Sequence, residues 1–364
     1  MEIKNIPRYN LDNLMHENAR YSVVYGERSN GKSYQLKHKV MFTKNVLIGD
    51  EKFMLVRRRK AEITTEKIER YFEDVDISGM TGGKYDSVTM WRRELFLSMF
   101  DYDKFKYTRG KKIGYVVPLE REQDYAGASF LDVNNIIFEE FMSRDRYLID
   151  EPNKLENLYC TVDRKRGTTK LWLCGNSISR VCPYLSDWGL MDIMRKQAQG
   201  TIETKTFFVD GEEIKLAIEF APYSGVSSHV VGSHARMMSR GEWQSDPQPH
   251  LTKSINDYNV LLTAVFEFAS FRFLARYMSD PLTADKVWFI CDKTHTYPEK
   301  EKNTYTISDI VNQNKKYFRS PYSVKSRNKY IEKAFDDFRE DKIFYSTDLC
   351  GTDFKQAIDF IIKK

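Results

Sequence analysis

Eight consecutive residues near the start of the chain have the types and spacing that bind a polyphosphate. They spell GERSNGKS and are Gly26, Glu27, Arg28, Ser29, Asn30, Gly31, Lys32 and Ser33. The glycines let the backbone curl, so that its N–H groups point inward at phosphate oxygens. Lys32 would reach the β- and γ-phosphates of ATP, and the Ser33 hydroxyl would hold the accompanying Mg²⁺ ion.

The segments on either side of this loop supply the context that the pattern requires. Residues 21–25 (YSVVY) predict an apolar strand, and residues 34–40 continue as an amphipathic helix. A helix that begins near Lys32 would add the positive end of its dipole to the phosphate site. The alternative is a glycine turn that binds nothing, but the order of strand, loop and helix favours a nucleotide site.

A second chemical signal is a pair of acids at the end of an apolar run. Within NNIIFEEF, residues 136–138 predict a strand that is buried on both faces of a parallel sheet, and Glu139 and Glu140 follow it. Adjacent residues of a strand point to opposite sides, so the two carboxylates can have different roles. Glu139 suits an acid that holds Mg²⁺, and Glu140 suits a general base that orients the attacking water.

Further polar residues follow two other predicted strands. The strand at residues 170–174 is followed by Asn176, which would hydrogen-bond the γ-phosphate or the water unless it is an ordinary turn residue. The strand at residues 53–56 ends in a basic run, Arg57, Arg58, Arg59 and Lys60. Ligands bind at the carboxyl ends of strands in open α/β sheets. This run would therefore contact phosphate, DNA or a neighbouring subunit, with a solvated charge run as the alternative.

Two arginines, Arg164 and Arg166, precede the strand at residues 170–174. An arginine at a subunit surface can complete a neighbour's active site as a finger, because its guanidinium group is planar and permanently charged. Both residues are candidates for that role, and the sequence does not choose between them.

Bulk properties restrict the class of protein. The 364 residues suffice for two domains, and the net charge of +5 permits a polyanionic partner without requiring one. The 5 cysteines are widely spaced without a C-x-x-C pair, which argues against structural zinc or disulfides and favours a reducing compartment. No apolar run approaches the about 18 residues of a membrane helix, and no signal peptide is evident. A soluble cytoplasmic protein is therefore expected.

In their fixed order, the segments GERSNGKS, FMLVRRRK, IIFEEF, TVDRKR and LWLCGNSISRVCPY resemble the DNA-packaging ATPases of small protein-primed tailed phages, the phi29 type. These are ring-forming P-loop ATPases of the ASCE class, related to large terminases, and the resemblance covers residues 21–184. By position it implies that Glu140 is the catalytic carboxylate and Arg164 the arginine finger. It also implies that Lys60 acts across a subunit interface and that Asn176 follows the next strand. The sequence departs from the family at Glu139, where Asp is usual, and at Ser29 and Asn30, where small or apolar residues are common.

The resemblance implies a motor that hydrolyses ATP and moves double-stranded DNA into a viral procapsid. Its implied partners are the procapsid portal and further copies of itself in a ring, a pentamer, with a packaging RNA as an additional partner. The implied location is the cytoplasm of an infected bacterial host, transiently at the portal vertex. From the residues alone, two other interpretations stay open: a helicase or partition-type ATPase on single strands or filaments, and a non-catalytic nucleotide-binding adaptor on nucleic acid.

The predicted fold class is α/β. A P-loop ATPase domain with a central parallel sheet is expected at residues 1–200, a linker and hairpin region at 201–245, and a smaller α/β domain at 246–364. In this last part, residues 260–278 and 286–291 predict three strands, and residues 307–316, 326–339 and 354–363 predict helices. The resemblance implies an RNase H-like nuclease fold there. Nuclease activity is predicted to be lost, because no D-x-D-like cluster stands out among the acids Glu267, Asp292, Asp336, Asp337 and Asp348.

Two basic segments are candidates for contact with nucleic acid. Residues 78–112 predict a hairpin insertion whose loops carry Lys104, Lys106, Arg109, Lys111 and Lys112, which would grip the DNA backbone in a ring pore. Residues 315–330 interleave basic and aromatic side chains, a composition that suits phosphate contacts and base stacking. For the second segment, a solvated surface with a buried aromatic side is an equal alternative.

Overall fold

The structure is a computed structural model that describes residues 9–143, 147–225, 243, 245–268, 271–292, 304–306, 316–317, 329–340 and 342–362. By their contacts these residues fall into two compact units. The first unit contains residues 9–178 and 196–225, and the second contains residues 179–195 and the described residues from 243 onward. The second unit resumes at residue 243, close to the predicted boundary at 245, whereas residues 179–195 join the second unit and the predicted hairpin joins the first.

The first unit is built on a nine-stranded sheet in the order β3-β4-β5-β2-β6-β7-β1-β9-β8. Its strands are β1 Tyr21–Gly26, β2 Lys52–Arg57, β3 Ser87–Trp91, β4 Glu94–Asp101, β5 Lys106–Pro118, β6 Val133–Glu139, β7 Lys170–Asn176, β8 Ile202–Val209 and β9 Glu212–Phe220. The six central strands, from β5 to β9, are parallel. The predicted parallel sheet is therefore present, with antiparallel strands added at both edges.

The strand register brings the predicted motifs to one edge of this sheet. Gly26 at the end of β1 pairs with Asn176 at the end of β7, and Glu139 at the end of β6 pairs with Cys174. The central strands are buried on both faces, and Ile136, Ile137 and Phe138 expose none of their surface, as the apolar run predicts.

Ten α-helices are described, together with three short 3₁₀ turns and one π-helical turn. The α-helices are α1 Asp12–His16, α2 Lys32–Leu36, α3 Lys44–Ile48, α4 Thr65–Phe72, α5 Ile77–Thr81, α6 Glu151–Asp163, α7 Pro183–Asp187, α8 Met191–Lys196, α9 Lys329–Arg339 and α10 Asp348–Ile362. The π-helical turn Lys37–Met41 continues α2, and the 3₁₀ turns are Lys60–Glu62, Leu119–Tyr125 and Ile255–Asp257. Across the described ranges, we find no helix with the length and apolarity needed to span a lipid bilayer.

Two predicted hairpins form, but both join the nine-stranded sheet. The predicted basic hairpin continues into a 13-residue strand, β5, which is exposed along its first six residues and buried near its end. The first half of β5 is therefore an arm in solvent, paired with β4, and its second half lies in the sheet. The predicted hairpin β8–β9 forms with Asp210 and Gly211 at its turn, both in the left-handed region, but β9 pairs in parallel with β1 and so extends the main sheet.

The second unit has a six-stranded sheet in the order β14-β13-β10-β11-β12-β15. Its strands are β10 Asn259–Phe268, β11 Phe271–Ser279, β12 Lys286–Asp292, β13 Thr304–Thr306, β14 Lys316–Tyr317 and β15 Ile343–Tyr345. The three predicted strands, β10 to β12, are antiparallel as neighbours, whereas β13, β14 and β15 pair in parallel. The fold is therefore mixed α/β in both units. Apart from their short described pieces, the predicted helix at 307–316 and the basic segment at 315–330 lie outside the described residues.

Candidate active site

The phosphate loop connects β1 to α2 at the carboxyl edge of the parallel strands. Gly31, which precedes α2, has a φ of 101°, a left-handed conformation that favours glycine over residues with a side chain. At the other end of the loop, Ser177 donates its backbone N–H to the carbonyl of Gly26 at 3.0 Å, which ties the loop to the end of β7. Asn176 is half-buried at that strand end, beside the loop, as predicted.

Lys32 is buried inside the loop. Its ammonium group donates to the carbonyl oxygen of Glu27 at 2.5 Å and to Oδ1 of Asn30 at 3.1 Å. Burial lowers the pKa of Lys32, because the ammonium group loses its hydration, and the nearby acidic groups oppose this effect. The loop therefore encloses the ammonium group that the sequence predicts as a phosphate ligand.

Two other loop residues have buried polar atoms without a hydrogen-bond partner among the described residues. These atoms are Nδ2 of Asn30 and Oε2 of Glu27, whose other oxygen accepts the backbone N–H of Ser224 at 3.0 Å. A buried donor such as Nδ2 of Asn30 is destabilising unless an acceptor reaches it, and a phosphate oxygen is such an acceptor. Arg28 and Ser29 are exposed on the outside of the loop.

The predicted metal pair lies together at the end of β6. Ser33 donates its hydroxyl to Oε2 of Glu139 at 2.9 Å, and Tyr71 of α4 donates its hydroxyl to Oε1 at 2.9 Å. Hydroxyl and carboxylate oxygens are ligands that Mg²⁺ accepts, so this pair fits the predicted ion. Burial and the charge of Glu139 raise the pKa of Tyr71, which keeps its hydroxyl protonated as a donor. The sequence did not predict Tyr71 as a site residue.

Glu140 leaves the strand in a different direction from Glu139. Its φ of 59° lies in the left-handed region, which is uncommon for a residue with a side chain, and the residue is exposed. Arg58 holds this backbone by donating to the carbonyl oxygens of Glu140 at 3.0 Å and Phe141 at 2.7 Å. The guanidinium group also donates Nε–H to both carboxylate oxygens of Glu151 at 3.0 Å. Arg58 is thus a buried clamp on the acidic turn, whereas its basic run predicted contact with phosphate, DNA or a neighbour.

Glu151→Ala is expected to lower the free energy of unfolding of the first unit by about 3–5 kcal/mol, because it leaves the buried Arg58 charge without its partner. Both side chains of this pair are almost fully buried. Urea unfolding followed by circular dichroism measures the change, with Asp124→Ala as the control because it breaks the exposed pair with Arg121. Equal, small losses in both variants would contradict the clamp.

The two candidate finger arginines differ in their surroundings. Arg166 directs its guanidinium group inward, where it donates to a set of acceptors, the carbonyls of Leu131, Val133, Val162 and Asp163 and the hydroxyl of Thr169. Arg164 is exposed and donates from Nη2 to the carbonyls of Gly127 at 3.1 Å and Ala128 at 2.7 Å. The structure thus gives Arg166 a role within its own chain and leaves Arg164 at the surface.

Arg164 lies away from the phosphate loop of its own chain. Arg164 follows α6 near the start of β7, whereas the phosphate loop lies at the end of that strand. Seven residues of strand span about 20 Å, which is too far for an arginine side chain. Lys60 is exposed at the start of a 3₁₀ turn, with its backbone N–H bound to Glu120 at 2.7 Å.

The acids predicted in the second unit are spread over several elements. Glu267 lies in β10, Asp292 ends β12, Asp336 and Asp337 lie in α9, and Asp348 begins α10. Asp337 accepts the indole N–H of Trp288 at 3.1 Å, and Asp348 bonds His250 at 2.9 Å. A further acid, Asp353, is buried and forms an ion pair with Arg180. In the part of the chain that the structure describes, no three acidic, histidine or cysteine side chains group to hold a metal ion.

The fold and the site together define a mixed α/β protein with a phosphate loop at the carboxyl edge of a parallel sheet. The family model of the Podovirus DNA encapsidation protein (Gp16) matches residues 4–199. This match covers more than half of the 364 residues. The chain belongs to this family, which confirms the resemblance seen in the sequence.

Individual relatives agree with that assignment. Over 192 residues the chain is 28% identical to the DNA packaging protein of Bacillus phage phi29, a match that covers 52% of each. It is 30% identical over 183 residues to the DNA packaging protein of Bacillus phage B103, which covers 48% of this chain and 49% of that protein. The matched region thus spans about half the length of these relatives. Among solved structures, a chain of the bacteriophage phi29 viral genome packaging motor assembly shares the fold, with a TM-score of 0.51 and 21% identity over 96% of this chain and 99% of that one.

Proposed function

We propose that this protein is a motor ATPase that moves double-stranded DNA into a viral procapsid. The observation that carries the proposal is the meeting of the phosphate loop with the acidic strand end, where the Ser33 hydroxyl lies 2.9 Å from Oε2 of Glu139. Membership in a DNA encapsidation family supports the proposed coupling of hydrolysis to DNA movement. The proposed reaction converts ATP and water to ADP and phosphate.

The chain's own residues would divide the chemistry of hydrolysis among them. Lys32 would exchange its acceptors in the loop for phosphate oxygens, while Ser33 and Glu139 would hold Mg²⁺. The bound ion would neutralise charge that develops on the phosphate oxygens. Glu140 would accept a proton from the attacking water as a general base, held in place through its backbone by Arg58. Asn176, beside the loop, would hydrogen-bond the γ-phosphate or the water.

A ring of identical subunits would complete each site. Arg164 is exposed and lies near the start of β7, at the opposite end of that strand from its own phosphate loop. We therefore assign it to a neighbour's site as the arginine finger, with Lys60 as a second basic residue across the interface. By analogy with the family, we propose a pentamer at the portal of a procapsid in the bacterial cytoplasm, with a packaging RNA as a further partner. The planar, permanent charge of Arg164 would then make hydrolysis depend on closure between subunits.

The second unit is proposed to be an RNase H-like domain without nuclease activity. Three antiparallel strands, extended by the parallel strands β13 and β14, support the fold assignment. The buried carboxylate of Asp353 supports the loss of activity, because Arg180 occupies one of its oxygens. Burial raises the pKa of Asp353 to about 6, which further disfavours the charged form that a metal ligand requires.

Steady-state ATP hydrolysis tests the proposal, measured without DNA, with single-stranded DNA and with double-stranded DNA. Stimulation mainly by the duplex is expected for a packaging motor. Stimulation only by single strands would overturn it in favour of a helicase. ATP binding without turnover, also in the presence of a procapsid portal, would overturn it in favour of a nucleotide-binding adaptor.

The arm formed by β4 and β5 is proposed to grip DNA. Residues 102–111 are all exposed, with Lys104 and Lys106 near the tip. Lys104 forms an exposed ion pair with Asp101, and Lys111 and Lys112 bond to Ile48 and Glu94 within the chain. Replacing Lys104 and Lys106 with glutamine is expected to weaken duplex binding. The slope of log K against log salt concentration should become shallower by about 0.9 for each phosphate that the arm no longer neutralises.

Fluorescence anisotropy with a labelled duplex, titrated at several salt concentrations, measures both effects. The control replaces Lys44 and Lys196, two exposed lysines on helices α3 and α8, with glutamine and changes the net charge equally. Parallel losses of affinity in the two double variants would show that only overall charge matters, and the arm would then have no specific role.

A further inference from the structure

The carboxylate of Glu139 is held by two hydroxyl groups rather than one. Ser33 donates to Oε2 and Tyr71 donates to Oε1, each at 2.9 Å. Ser33 belongs to the phosphate loop, whereas Tyr71 lies on α4, in a part of the chain outside every predicted motif. Two donors on opposite oxygens fix the plane of the carboxylate as well as its position.

The position of Tyr71 is itself fixed from the phosphate-loop side. Lys37, in the π-helical turn that continues α2, donates its ammonium group to the carbonyl oxygen of Tyr71 at 2.7 Å and pairs with Asp74. The same ammonium group lies 4.5 Å from the centre of the tyrosine ring, and the guanidinium carbon of Arg57 lies 5.1 Å from it. The tyrosine is therefore a rigid group between the loop helix and the acidic strand end.

We propose that Tyr71 is a positioning residue that lets a glutamate serve as the metal-side acid of this site. Glutamate has one more rotatable bond than aspartate. Hydrogen-bond partners must therefore orient its carboxylate before it can act as a metal ligand at a defined position. With Oε1 bound by Tyr71, Oε2 stays directed at Ser33. Ser33 and Glu139 would then be placed to hold the ion together. This inference rests on the proposed ATPase function and adds the residue that adapts the site to Glu139.

A purely structural role is the competing explanation, because Tyr71 also packs edge-on against Phe72, with ring centres 4.8 Å apart. The two explanations differ in what the hydroxyl oxygen does. Partners that orient a metal ligand typically change metal affinity by 10–100-fold when they are removed. Weaker packing would instead also lower the affinity for nucleotide without metal.

Tyr71→Phe removes only the hydroxyl group and keeps the ring. Binding of Mn²⁺ is measured by electron paramagnetic resonance in the presence of a non-hydrolysable ATP analogue, and binding of the same analogue is measured in EDTA. We expect Tyr71→Phe to weaken Mn²⁺ binding by about 10-fold or more, with the affinity in EDTA unchanged. Tyr85→Phe, away from the site, is the matched control and is expected to change neither.

A second variant tests the same contact with the tyrosine left in place. Glu139→Asp shortens the acid so that it cannot bond Ser33 and Tyr71 together, and it should weaken Mn²⁺ binding by a similar factor. In that background Tyr71→Phe should have less effect than it has alone. Unchanged Mn²⁺ affinity in Tyr71→Phe or in Glu139→Asp would overturn the inference. Failure of the wild-type protein to bind the analogue with metal would instead overturn the proposed function.

Discussion

Glu140→Gln is expected to reduce kcat for ATP hydrolysis by about 100- to 10,000-fold while leaving nucleotide affinity nearly unchanged. Glutamine has the shape of glutamate but cannot accept the proton of the attacking water. The backbone of residue 140 would keep its place, because Arg58 binds its carbonyl oxygen rather than its side chain. The variant should therefore bind ATP and stop before hydrolysis.

Steady-state turnover with duplex DNA and equilibrium binding of a fluorescent ATP analogue separate the two effects. Glu66→Gln is a suitable control, because it removes an exposed carboxylate that pairs with Arg70 on the surface of α4. Turnover of Glu140→Gln within a few-fold of the wild-type value would exclude Glu140 as the general base. Combined loss of binding and turnover would instead assign it to nucleotide binding.

Lys32→Ala is expected to lower kcat/KM by at least about 100-fold, with weakened ATP binding as the main cause. Its ammonium group would contact the β- and γ-phosphates in both the bound substrate and the transition state. The folded protein should tolerate the change, since burial disfavours the charged form of Lys32 and its removal relieves a desolvated cation.

Isothermal titration with ATP and Mg²⁺ measures the loss of binding, and thermal unfolding without nucleotide checks the fold. Lys39→Ala, in the π-helical turn that continues the same helix, is the control, because Lys39 pairs with Asp12 near the surface. Wild-type affinity in Lys32→Ala would contradict the phosphate site, and an equal loss in Lys39→Ala would point to an effect of general charge.

Much of the fold and part of the site follow from local patterns of residues. The loop from Gly26 to Ser33 is contiguous, so its spacing alone predicts how its backbone and side chains would surround phosphate. The apolar run before Glu139 likewise predicts β6, because a strand buried on both faces needs uninterrupted apolar residues. Strand order in a parallel sheet then places Gly26, Asn176 and Glu139 at one edge, where the structure has them.

The contacts that only the tertiary structure decided join residues far apart in the chain. Arg58 and Glu151 are 93 residues apart, Tyr71 and Glu139 are 68 apart, and Arg180 and Asp353 are 173 apart. No local pattern distinguishes Arg58 from its basic neighbours, or Arg166 from Arg164, since the surrounding packing decides which guanidinium turns inward. A charge is buried only where the fold places acceptors around it, and those acceptors come from other elements. The sequence by itself therefore determined the family and the phosphate loop, whereas packing between distant elements decided which residues orient Glu139 and Glu140.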